Sequence, residues 1–140
     1  MPAGMTVWRF SMAKTIALAF GIIYSLVGVV GFLPFTGGTF GMTPAALFGV
    51  FYINLLHNIV HVVIGVSGLL MAGTEESAAR YLRLFGIILL LIGILGFIGP
   101  IETRIDSFLP IGGWDRWLHL VSGVIMLWGA STAGKAAQPA

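Results

Sequence analysis

Four stretches of this 140-residue chain stay apolar for about 17 to 25 residues, the length that crosses roughly 30 Å of hydrocarbon as a helix. They cover approximately residues 15–35, 51–72, 81–99 and 117–133. A bilayer core offers no water to backbone amides, so each run is predicted to be a helix that satisfies its own hydrogen bonds. The fold class expected is an all-α integral membrane protein, a single domain over residues 1–140 with four transmembrane helices. Between the first two spans, Thr43 reads as an N-cap and Pro44 as a first helical residue, which predicts a short outer helix over 44–50. If it continued unbroken from Pro44 to Ala72 it would be about 43 Å long, so a bend near Gly49 is expected. Thr74 or Ser77 is positioned to cap the third helix, with Glu75 and Glu76 near its positive end.

The pattern also repeats. FGIIYSLVGVVGF (Phe20 to Phe32) matches FGIILLLIGILGF (Phe85 to Phe97) at eight of thirteen positions, including Gly21/Gly86, Gly28/Gly93 and Gly31/Gly96. A fainter match aligns HNIVHVVIGV (from His57) with DRWLHLVSGV (from Asp115), pairing His61 with His119 and Gly65 with Gly123. These matches predict two tandem helical hairpins of shared orientation, related by a pseudo-two-fold axis along the membrane normal. The glycines offer smooth faces for close helix packing, within the chain, in a homo-oligomer or against other membrane-protein subunits.

Polar residues interrupt the second and fourth spans. Asn54, Asn58 and His61 fall at i, i+4 and i+7 with His57 beside them, so they form one stripe on a helix. Asp115, Arg116 and His119 open the fourth span. An unpartnered polar group in an apolar medium costs about 1–3 kcal/mol, so these residues are expected to meet one another. The predicted site is an outer-leaflet pocket between the second and fourth helices. Counting from the helix ends pairs His119 with His57 in depth, whereas the repeat pairs it with His61.

Composition narrows the class. The chain is 58% hydrophobic and 9% charged with a mean hydropathy of +1.02, values of a polytopic membrane protein. With no cysteine, thiolate metal sites and disulfides are excluded. Seven scattered Lys and Arg give a net charge of +2 without a basic run, which gives no support to nucleic-acid binding. Arg9, Lys14, Arg80, Arg83 and Lys135 fall on one side of the spans and Arg104 and Arg116 on the other, predicting both termini cytoplasmic. Trp8, Tyr52, Tyr81, Trp114 and Trp117 fall near the interfaces, and the tail from Gly134 is expected to be unstructured. The first span follows Arg9 and Lys14 as a signal peptide would, but its length and missing cleavage site predict a retained anchor.

Several chemistries fit the polar row. The leading reading is a structural hydrogen-bond cluster, with Asp115 orienting a histidine and Arg116 pairing with Asp115 or Asp106. The protein is then a non-enzymatic accessory or scaffolding subunit packed in the bilayer beside other membrane proteins. The alternative is a tetrapyrrole site, haem or chlorophyll, ligated by His61 and His119 with His57 nearby, in a photosynthetic or electron-transfer complex. Gly65 and Gly123, one turn after those ligands, would leave room for a flat macrocycle. A third reading takes His57 and His61 at i and i+4 as metal ligands, completed by His119 or Asp115. The lack of a His-Glu-x-x-His arrangement speaks against a catalytic zinc. A proton or ion path lacks ionisable groups in the inner half of the helices.

The strings NLLHNIVHVVIGVSGLL (from Asn54), DRWLHLVSG (from Asp115) and GVVGFLP (from Gly28) resemble a family of small four-helix bacterial membrane proteins known as a domain of unknown function. The resemblance covers most of Phe20 to Gly129. Its Asn-x-x-His-Asn-x-x-His and Asp-x-Trp-x-His signatures map onto Asn54, His57, Asn58, His61, Asp115, Trp117 and His119. At position 116, where a small polar amide is expected, this chain has Arg. The resemblance implies the four-helix fold and no activity; the localisation expected for the chain is a bacterial plasma membrane, or a thylakoid membrane in a phototroph.

Overall fold

Side-chain caps set where three of the four apolar runs become helices. A computed structural model describes residues 11–135, and Trp8, Arg9 and the tail beyond Lys135 lie outside the described residues. The helices are α1 (Met12–Val30), α2 (Leu55–Met71), α3 (Glu75–Leu95), α4 (Gly99–Asp106) and α5 (Asp115–Ser131). Ser11 caps α1 by accepting from the Lys14 N–H, and Asn54 caps α2 by accepting from the His57 N–H. Thr74 caps α3 in a reciprocal box with Ser77, with Glu75 and Glu76 in the first turn where the helix dipole favours negative charge. By length and composition α1 and α3 suffice to cross a membrane, and α2 is a shorter apolar helix of 17 residues. α5 also has 17 residues, about 26 Å of helix.

The helix expected from Pro44 does not form. Ala45–Leu47 (β1) pairs antiparallel with Phe51–Ile53 (β2), in register Ala45 to Ile53 and Leu47 to Phe51. Phe48 and Gly49 reverse the chain at φ of 52° and 72°, and the Phe48 N–H donates to the Thr36 carbonyl at 2.7 Å. Gly49 would weaken a helix by about 1 kcal/mol, whereas the β-branched and aromatic run Val50 to Ile53 suits a strand. Asn54 therefore begins α2 and does not sit on its stripe. The third span is also displaced, since α3 starts at Glu75 and ends at Leu95, and the short α4 follows it.

The long helices pack as two hairpins, α1 along α2 and α3 along α5. Close approach is possible because glycines face backbone. A Cβ on Gly28 would lie 2.7 Å from the Val62 nitrogen, and one on Gly93 would lie 2.7 Å from the Leu120 nitrogen. Gly21 meets Gly68 and Leu69, and Gly86 meets Met126 and Leu127. Gly65 meets Ser25, and Gly123 meets Leu90. Each of these contacts in the first hairpin thus has its counterpart in the second, with α1 offset by 65 residues onto α3 and α2 offset by 58 onto α5.

Ala13, Ile16, Ala17, Phe20, Tyr24, Ile64, Ala78, Tyr81, Leu82, Leu89, Met126 and Ala130 form the apolar core. Many large apolar side chains point outward, including Leu26 at 60% and Leu70 at 78% exposure. A water-soluble monomer rarely carries so much contiguous apolar surface, whereas lipid accepts it. Tyr81, expected at an interface, is fully buried in the core.

Candidate metal centre

Asn54 anchors one end of the site. Its Oδ1 caps α2, while its Nδ2 donates to the carbonyls of Met42 (3.1 Å) and Phe108 (2.8 Å). It is fully buried and ties the hairpin segment, α2 and the loop after α4 together. That loop is ordered from its other side by Asp106, whose Oδ1 accepts from the Ile111 and Gly112 N–H groups at 2.6 and 3.3 Å. The result places the Pro110 carbonyl 2.8 Å from His57 Nδ1. A carbonyl only accepts, so Nδ1 carries the proton, and the neutral ring holds its lone pair on Nε2.

Nε2 of His57 points at Nε2 of His61, 3.0 Å away. One turn into α5, His119 completes the group. Its ring stacks 5.9 Å from His57 and stands edge-on 6.2 Å from His61. One ligating nitrogen from each of the three histidines lies within 4.8 Å of the others, and all three residues are buried. α2 presents both His57 and His61 to His119.

The rest of the polar row does different work. Asn58 Nδ2 donates to the carbonyls of Gly31 (2.7 Å) and Thr39 (3.1 Å). Arg116 is the counterpart of Asn58 and does the same thing, donating to the Gly96 carbonyl at 3.1 Å while its guanidinium lies over the Phe97 ring. Arg116 therefore closes the end of α3 and lines neither cavity beside the histidines, contrary to its expected pairing with Asp115 or Asp106. Asp115, 2% exposed, is the counterpart of His57. Among the described residues, its Oδ2 and the Nδ1 atoms of His61 and His119 are buried without a hydrogen-bond partner.

Two cavities flank the histidines. One, of about 260 Å³, runs between α2 and α3 and is walled by aliphatic side chains, Phe85, Pro110 and the three imidazoles. The other, of about 120 Å³, lies between α1, α2 and α5 and meets Tyr24, His61, Asp115, His119 and Ser122.

Gly65 and Gly123 do not open space for a macrocycle. The backbone of Ser25 fills the place above Gly65, and a Cβ on Gly123 would lie 2.6 Å from the Leu90 nitrogen. The His57 ring also packs against both expected axial ligands, 4.3 Å from His61 and 5.9 Å from His119. The Pro110 carbonyl and Asp106 carry no sequence signal as site residues, since a backbone acceptor is invisible in a side-chain pattern.

Residues 14–131 match the family described as a domain of unknown function (DUF4383), and the chain belongs to that family, in agreement with the resemblance carried by its motifs. No curated protein and no solved structure matches the chain.

Proposed function

We propose that this member of DUF4383 is an integral membrane protein of four spans, α1, α2, α3 and α5, with both ends cytoplasmic, that holds one divalent transition-metal ion on His57, His61 and His119. The observation that carries the reading is the convergence of three buried imidazoles with ligating nitrogens within 4.8 Å of one another. A tetrahedral ion with bonds of about 2.0–2.1 Å needs its ligand nitrogens about 3.4 Å apart, a small side-chain adjustment from this arrangement. The hydrogen bond from His57 Nδ1 to Pro110 supports it further, because metal-bound histidines are oriented by such a bond through their second nitrogen. Neutral imidazoles without thiolates suit zinc, iron, nickel or copper and not calcium or magnesium.

The ion would bridge the hairpins, His57 and His61 from one and His119 from the other. Three protein ligands leave a fourth position open. The scaffolding role followed from reading the polar row as a hydrogen-bonded packing cluster; the glycine faces that could also have met partners, Gly21, Gly28, Gly65, Gly86, Gly93 and Gly123, face neighbouring helices of this chain. The metal reading has the more specific support. Purified in mild detergent without chelator, the chain is expected to retain about one equivalent of metal by elemental analysis. His57→Ala and His119→Ala are expected to lose it while keeping their helical circular dichroism. A wild-type chain that takes up no such ion at micromolar concentration would leave the histidines as a hydrogen-bonded packing group and end the reading.

A further inference from the structure

Asp115 is a buried carboxylate that makes no structural contact with its free oxygen. It lies in α5 one turn before His119, so the two share a face. Its Oδ2 has no partner among the described residues, and neither has the Nδ1 of His61 or of His119, and all three residues line the same 120 Å³ cavity with Tyr24 and Ser122. Leaving one such group unpaired costs about 1–3 kcal/mol, and three at one cavity point to something that pairs them. A water needs about 10–15 Å³ and two to four polar partners; the volume is ample, and Tyr24, His61, Asp115, His119 and Ser122 are the polar residues of the wall.

Asp115 stands outside the mutual 4.8 Å cluster of the three histidines, so its carboxylate is not placed as a fourth member of that ligand set. The internal repeat gives this a simple form. His57 and Asp115 occupy the same position in the two hairpins, one presenting a lone pair to the ion and the other presenting an acceptor to whatever binds next to it. A carboxylate accepts hydrogen bonds and, beside a divalent cation, stays ionised. It therefore favours a neutral ligand bearing O–H and opposes an anion.

We propose that this second cavity seats the non-protein ligand of the metal, and that the ligand is a neutral protic oxygen, water in the resting protein, held by Asp115. The inference rests on the metal reading above and assigns the open position to this cavity, whose wall carries Asp115, and not to the one between α2 and α3.

The test uses the full chain in mild detergent loaded with Co²⁺, whose visible spectrum reports its coordination, titrated with azide. Wild type is expected to bind azide weakly. Asp115→Asn keeps the shape, removes the charge, and is expected to bind azide at least about 10-fold more tightly, a gain erased when Ser122→Leu fills the cavity in the same chain. Unchanged azide affinity in Asp115→Asn would overturn the inference and leave the metal reading standing. Loss of Co²⁺ by a folded Asp115→Asn chain would make Asp115 a direct ligand and also overturn it. Failure of the wild type to take up Co²⁺ would overturn both. A measurement on the unaltered chain removes dependence on the variant's folding: pulsed electron paramagnetic resonance of the Cu²⁺-loaded protein is expected to show strongly coupled protons that vanish in D₂O. Their absence would overturn the water ligand.

Discussion

Asn54 shows how much geometry one side chain can carry. Its oxygen caps α2 while its amide nitrogen satisfies two carbonyls from distant loops, so Asn54→Ala removes a cap and strands two part-buried acceptors. A lost cap costs about 0.5–2 kcal/mol and stranded acceptors add to it, giving an expected loss of about 2–4 kcal/mol. Equilibrium unfolding in detergent measures this, and a loss below about 0.5 kcal/mol would contradict the role. Asp106 is a subtler case because it touches no histidine. It holds the loop that brings the Pro110 carbonyl to His57. Partners of this kind typically contribute 10- to 100-fold to metal affinity. Asp106→Ala is expected to weaken the metal by that factor in chelator competition with little change in helix content, and an unchanged affinity would show that the loop holds its place without it.

At the scale of elements, the two hairpins are built on the same contacts. Gly28→Ala and Gly93→Ala both push a methyl group to 2.7 Å from a backbone nitrogen of the opposing helix. Each is expected to destabilise by about 1–3 kcal/mol, and by similar amounts, whereas Gly73→Ala, with nothing within 4 Å among the described residues, should stay within about 0.5 kcal/mol. Thermal unfolding of the three variants decides it, and a large difference between Gly28 and Gly93 would argue against equivalent hairpins. The existence of the long helices and the repeat of their glycines were legible in the sequence because apolar length and Gly spacing are both local signals. The hairpin over Ala45 to Ile53 was not. Thr43 and Pro44 imitate a helix start, and the turn that defeats it depends on Phe48 accepting a left-handed conformation, which its side chain does not announce. Asn54 was misread for the same reason, since a cap and a stripe residue look alike until the helix start is known.

For the molecule as a whole, the site was half visible. Periodicity put Asn58, His57 and His61 together and the repeat brought in His119, but Arg116 faced another way because its length lets it reach the Gly96 carbonyl that Asn58 reaches at Gly31 in the first hairpin. The four-span arrangement with both ends inside has its own test, made simple by the lack of cysteine. Single cysteines replacing Thr43 and Thr103 are expected to react with an impermeant maleimide on intact cells. Cysteines replacing Gly73 and Lys135 should react only after lysis. Labelling of Thr43→Cys and Gly73→Cys from the same side would contradict four spans.

The central claim is that three histidines from two hairpins share one metal ion. X-ray absorption at the metal edge of the purified chain addresses it most directly, because imidazole rings give a recognisable multiple-scattering pattern. The account predicts three imidazole nitrogens at about 2.0–2.1 Å and one light oxygen, with two imidazoles left in any metal retained by His119→Ala. An edge that is absent, or a shell made of oxygen alone, would contradict it.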